Sequence, residues 1–196
     1  MSSRSEGTGP GPVSDEELQK IWVGGVVPHN APIVLADYDD GWPALFEREA
    51  SRIRGALGET ALRVEHVGST SVPGLAAKPI IDILLVVPDS ADEPSYRPAL
   101  ESAGYVLRIR EPDWFEHRVF KGPDTNVNMH VFSLGATEID RMLRFRDRLR
   151  ADDADRDYYA RTKRELAGHV WRHVQHYADA KTAVIEEIMT RAGAAG

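Results

Sequence analysis

The residues best suited to chemistry fall within 64–87, VEHVGSTSVPGLAAKPIIDILLVV. Gly68 is followed by two hydroxyl residues, Ser69 and Thr70. At the end of a strand, such a triplet offers backbone N–H groups and side-chain donors to an anion, and its small side chains let a phosphate come close. Further along, Asp82 interrupts the apolar run IIDILLVV. A carboxylate there is costly to desolvate unless it is paired, hydrogen-bonded or bound to a cation. Three roles are open to it: metal ligand, anchor for nearby N–H groups, or partner of Lys78, which would itself face a phosphate. Two histidines could stand beside it, His66 in the segment leading to Gly68 and His130 in NVNMHVF. An imidazole can ligate a metal, donate to a phosphate or move a proton near neutral pH.

Cations recur on apolar stripes in the C-terminal part. Arg146 lies at helical spacing from Met142, Leu143 and Leu149; Lys163 falls between Tyr159 and Leu166; Lys181 falls between Tyr177 and Val184. A single buried-face cation is explained by snorkelling, its stem packed and its charge in water. Three in succession, two of them in a Tyr-x3-Lys spacing, point to a shared anion site. Arg144, Arg148 and Arg150 read as a solvated face. His29, His117, His169, His173 and His176 receive no role, and HVWRHVQHY reads as an exposed helix junction.

These residues need elements to hold them. A helix is predicted over 15–23, with Ser14 and Glu17 as a capping box. A short strand is predicted at 33–35, an amphipathic helix over 43–57 stopped by Gly58, and a strand over 61–67. The run 80–87 has the nearly unbroken apolar pattern of a central strand covered on both faces. A helix over 96–103 and strands over 105–110, 116–121 and 126–132 follow. Residues 137–192 read as three helical pieces, broken near 152–155 and 173–175. The expected fold is α+β, helices gathered around one mixed sheet.

A chain of 196 residues, 42% of them apolar, can bury one core, so one domain is expected over 14–192 with tails at 1–13 and 193–196. The 24 Lys+Arg against 31 Asp+Glu leave a net charge of -7, which disfavours duplex nucleic acid as partner and leaves room for a small phosphorylated ligand. The chain has no cysteine, excluding thiolate metal sites and a cysteine nucleophile. No apolar run is long enough to span a membrane and the N-terminus lacks signal-peptide order, so the cytoplasm is the expected compartment. The sequence leaves the oligomeric state open.

The string EHVGSTSVPGLAAKPIIDI, with the later MHVF and RFRDRLR and the lysine-bearing helices, resembles the GrpB family of the nucleotidyltransferase-fold superfamily. The resemblance runs over about 33–192. It implies a nucleotidyltransferase-like mixed sheet flanked by helices, with a C-terminal helical segment. It also implies Mg²⁺ on Asp82 and a nucleotide triphosphate as substrate or ligand. Phosphates would meet Gly68, Ser69, Thr70, Lys78, Arg146, Lys163 and Lys181, with Tyr177 beside them. The superfamily carries two alternating acids on its strand; here the second position is Leu84, and two-metal chemistry depends on several oxygen ligands together. His66 and His130 are the candidates to compensate. The implied reaction is nucleotidyl transfer to a small acceptor, or adenylation of a carboxylate for ligation. The alternatives are a non-catalytic nucleotide-binding or accessory module, and an enzyme of different chemistry with His130 or His66 as general base.

Overall fold

The protein is described by a computed structural model over residues 14–194; the expected tail at 1–13 lies outside the described residues. Five strands, β1 (Arg63–Val67), β2 (Ile81–Val87), β3 (Val106–Glu111), β4 (His117–Lys121) and β5 (Val127–Ser133), form one sheet in the order β1-β2-β5-β4-β3. Only β2 and β5 run parallel; the other three neighbours are antiparallel. Every β2 residue except Asp82 is buried, as the unbroken apolar pattern requires of a strand covered on both faces.

Among the described residues, seven α-helices accompany the sheet: α1 (Asp15–Ile21), α2 (Trp42–Leu57), α3 (Arg97–Ser102), α4 (Thr137–Ala151), α5 (Asp153–Ala167), α6 (Val174–Asp179) and α7 (Thr182–Ala194). The capping box at α1 is present, Ser14 accepting from the Glu17 N–H and Glu17 reaching back to the Ser14 N–H. One sheet face packs beneath α2 and α3 through Ile53, Leu57 and Leu100 against Ile83, Leu85, Met129 and Val131. On the other face α4 covers only part, with Ile139 and Leu143 on Leu84, Val86 and Phe132. The C-terminal helices instead pack on the segment joining β1 to β2, where Val72 and Leu75 meet Leu149, Tyr159, Val184 and Ile188.

Four expectations change. Residues 33–35 form no strand; Ile33 donates its N–H to the Ala167 carbonyl, and on either side Ala31 and Ala36 make isolated bridges, to Trp171 and Ala77. The C-terminal part holds four helices, because α6 tightens at its end, Lys181 N–H bonding the Ala178 carbonyl, before α7 starts. That last helix continues through Ala194 and takes in the first two residues of the expected tail. His173 is buried, its Nε2 2.8 Å from an Asp15 oxygen, so HVWRHVQHY is a docking point for α1.

Candidate anion-binding site

Strand alternation and register put Asp82, Asn128, His130, Lys121, His117 and Glu111 on the sheet face that α4 leaves partly uncovered. Asp82 Oδ1 accepts from Asn128 Nδ2 at 2.9 Å, and His130 Nε2 stands 3.9 Å away. Burial by itself would raise the Asp82 carboxyl, but His130, Asn128 and Lys78 hold it below its ordinary value.

Gly68 makes room for this carboxylate. Its backbone lies at φ 67 and ψ -172, a region essentially restricted to glycine. A Cβ there would sit 2.3 Å from Asp82 Oδ2. The glycine and the aspartate are thus one steric unit. Ser69 follows, half-buried, with a hydrogen bond to Tyr159. Thr70 is turned inward: its hydroxyl donates to the Ile80 carbonyl and accepts a hydrogen bond from His66 Nε2 at 3.1 Å. His66 lies on the opposite face from Asp82, stacked on Phe46 at 4.8 Å, and burial lowers it to about 4.

Three lysines gather at the end of β2 nearest Gly68. Lys163 is 2% exposed and donates to the Ala76 carbonyl at 2.6 Å. Lys78 and Lys181 share one aromatic ring, their Nζ atoms 5.6 and 4.7 Å from the Tyr177 centroid. Among the described residues none of the three is within ion-pair distance of a carboxylate. Burial brings Lys163 to about 7 and Lys78 to about 8, with Lys181 pushing both further down; Lys181 is lowered by its own burial. The Tyr177 hydroxyl is buried and has no hydrogen-bond partner among the described residues. Lys121, bonded to Asn128 Oδ1, adds a fourth cation on the sheet side.

Arg146 belongs elsewhere. It is inward-facing, its side chain 10% exposed, but it pairs with Glu65 and Asp147 and donates to the His66 carbonyl. There it lines a separate cavity of about 460 Å³ on the β1 edge with Tyr38, Phe46, His66 and Arg150. Arg150 is exposed, as a solvated face requires, and its guanidinium also donates two N–H groups to the Ser71 carbonyl.

The structure thus gathers Gly68, Ser69, Asp82, His130, Lys78, Lys163, Lys181 and Tyr177, and separates His66, Thr70 and Arg146 from them. It adds Lys121, Asn128, His117 and Glu111. Alternation marks 117, 119 and 121 as one face of β4 and 128, 130 and 132 as one face of β5. Only the pairing of those strands, set by the short GPDTN connection, shows that the two faces coincide.

These features define an α+β protein with a five-stranded mixed sheet, part of one face carrying charged side chains that α4 does not cover. The chain belongs to the GrpB family: the family model described as GrpB protein matches residues 32–191. A UPF0157 protein of Halalkalibacterium halodurans is 70% identical over 183 residues, 93% of this chain and 94% of its own. A UPF0157 protein of Streptomyces coelicolor is 48% identical over 86% of this chain and 88% of its own. The crystal structure of the conserved protein GrpB from Enterococcus faecalis superposes with a TM-score of 0.71 at 35% identity, covering 81% of this chain and 96% of that one. Among the described residues, no helix is long and apolar enough to cross a membrane.

Proposed function

We propose that this protein binds a nucleotide triphosphate or a similar phosphorylated small molecule in the cleft between Asp82 and the three lysines, and transfers a nucleotidyl group to a small acceptor. The observation that carries this reading is the lysine cluster. Three ammonium groups in or near burial, without a carboxylate in ion-pair contact and depressing one another, form an arrangement that a polyanion would relieve. The unpartnered Tyr177 hydroxyl offers a donor in the same place. Gly68 and Ser69 border it from the sheet.

In such a transfer, an oxygen or nitrogen of the acceptor forms a bond to the α-phosphorus while the bond to the pyrophosphate oxygen breaks. Pyrophosphate leaves with that electron pair, and the acceptor's proton passes to solvent. The lysines would hold the phosphates and offset the charge that builds on the leaving group. Among the described residues, no group of three or more His, Asp or Glu is placed to hold a metal. One carboxylate fits a divalent cation that draws the rest of its shell from water and phosphate oxygens, and such an ion would supply further charge neutralisation.

One observation favours a second reading, a nucleotide-binding module without transfer. Leu84 is fully buried in an apolar cluster with Ile139 and Leu143 of α4, so a second carboxylate at its place would be desolvated among apolar side chains. Pyrophosphate release from a panel of nucleotides with Mg²⁺ or Mn²⁺, in wild type and Asp82→Ala, separates the two. Turnover lost in the variant supports transfer. Binding without turnover in either protein supports the module, and absence of nucleotide binding overturns both.

A further inference from the structure

The cavity of about 460 Å³ beside β1 takes no part in the reading above. Helix α2 presents Phe46 and Glu47 to it, α4 presents Arg146 and Arg150 one turn apart, and Pro73 comes from the segment after β1. Its apolar lining is built from flat rings. Phe46 lies face to face with His66, their planes 7° apart, and Tyr38 is held edge-on by Trp42 at 5.3 Å. His66 adds no charge near neutral pH, since burial lowers it to about 4.

The polar lining has donors to spare. Arg146 directs Nε and Nη1 to Asp147, Glu65 and the His66 carbonyl, but its Nη2 bonds nothing among the described residues. Arg150 gives Nε and Nη2 to the Ser71 carbonyl, and its Nη1 has only Asp147, at 3.9 Å. The Tyr38 hydroxyl makes no hydrogen bond among the described residues, and it stands close enough to Arg150 to act on its charge. Partial burial, then the charge of Arg146, hold Arg150 below its ordinary value, whereas Arg110 and Arg148, each in an ion pair, are raised. An anion beside Arg150 would reverse that shift.

We infer that this cavity binds a small monocarboxylate with a planar apolar body, its carboxylate taken by the free N–H groups of Arg146 and Arg150 and the Tyr38 hydroxyl, its body against Phe46 and Pro73. The balance of charge decides for a monoanion. Arg146, Arg150 and Arg156 line the cavity with Glu47 and Glu65, which leaves one positive charge over. A single carboxylate neutralises it; a phosphate dianion or polyphosphate would bring surplus negative charge toward the two glutamates, of which Glu47 has no ion pair among the described residues. Guanidinium N–H groups match the paired oxygens of a carboxylate, and the volume suits a small molecule. His66 lies on the opposite sheet face from Asp82, so this site stands apart from the phosphate pocket and does not depend on that reading.

Titration of the full chain with 4-fluorobenzoate, followed by ¹⁹F nuclear magnetic resonance, tests this. Wild type is expected to bind it saturably with a Kd of about 1 mM or tighter, as a ligand of about ten heavy atoms can reach. Arg150→Met should weaken it at least about tenfold, and Tyr38→Phe about threefold. The tyrosine variant keeps the ring against Trp42, so it reads the site even if Arg150→Met loosens the turn at Ser71. The neutral 4-fluorobenzyl alcohol should bind at least about tenfold more weakly than the acid. Lys163→Met should bind 4-fluorobenzoate as wild type does, and inorganic phosphate should not displace it at equal concentration. No saturable binding up to about 10 mM, equal binding of the alcohol, or an affinity unchanged in both Arg150→Met and Tyr38→Phe overturns the assignment. Displacement by inorganic phosphate, or loss of binding in Lys163→Met, overturns it as well by placing the probe in the lysine pocket. Calorimetry of tripolyphosphate reads the lysine pocket separately, so failure of that binding counts against the phosphate reading alone.

Discussion

Gly68 and Asp82 show how narrowly single residues hold this site. Gly68→Ala would set a methyl group against the Asp82 carboxylate in a backbone region closed to alanine; a loss of about 1–3 kcal/mol in urea unfolding is expected. Weaker tripolyphosphate binding should accompany it. Lys163→Met should act in opposite directions on the two properties. Without ligand it removes a buried charge crowded by Lys78 and Lys181, so stability should stay level or rise by about 1 kcal/mol. Tripolyphosphate affinity should fall at least tenfold by calorimetry. The lysines also set a pH dependence. In the free protein Lys163 and Lys78 titrate at about 7 and about 8, and a bound polyanion raises both. Binding therefore takes up protons above pH 7 and is tightest when the lysines are already charged. Affinity should fall as pH rises from about 7 to 9, by up to about tenfold per unit for each lysine involved. Calorimetry in buffers of different ionisation enthalpy would detect the uptake; affinity flat across this range would contradict it.

At the scale of elements, the joints are ionic where the packing faces are apolar. Glu93, in the turn before α3, accepts from Arg110 of β3 and Arg118 of β4, and these contacts, Arg110 foremost, hold its carboxyl at about 2. Its folded value lies below the unfolded one, so the stabilisation is complete above about pH 4.5 and is lost as pH falls toward 2. Glu93→Gln should flatten the decline of unfolding free energy across that range. Glu49, fully buried in α2, accepts from Tyr105 at 2.7 Å and from Thr125 at 2.7 Å, tying the helix to the strand side of the sheet. Most elements could be read from the chain, because capping residues and apolar periodicity act locally: Ser14 with Glu17, Gly58 after Leu57, and the run from Ile81 to Val87 all did what their types dictate. The site was only partly readable. Asp82, His130 and the lysines announce themselves as polar residues on apolar stripes. The same logic placed Arg146 with them, yet its partners Glu65 and Asp147 take it to the β1 edge. The pairing of Glu111 with His117 was hidden because it depends on strand register, which no local pattern encodes.

At the scale of the molecule, a site assembled from strands and from the helices after them links ligand to fold. A ligand that binds only the folded chain should stabilise it by about 2.7 kcal/mol at one hundred times its Kd. Tripolyphosphate should therefore shift the urea midpoint upward in wild type, and by about half as much or less at the same concentration in Lys163→Met. The strand order carries a consequence for synthesis. β5 occupies the place between β2 and β4, yet it leaves the ribosome after both of them. Until it arrives, β2 has β1 on one edge and a bare backbone on the other, over one of the most apolar stretches of the chain. A nascent chain paused before Val127 offers that edge to any passing strand. Insertion of β5 closes the edge in the same movement that carries His130 to Asp82, so the cleft comes into being only when this aggregation hazard ends.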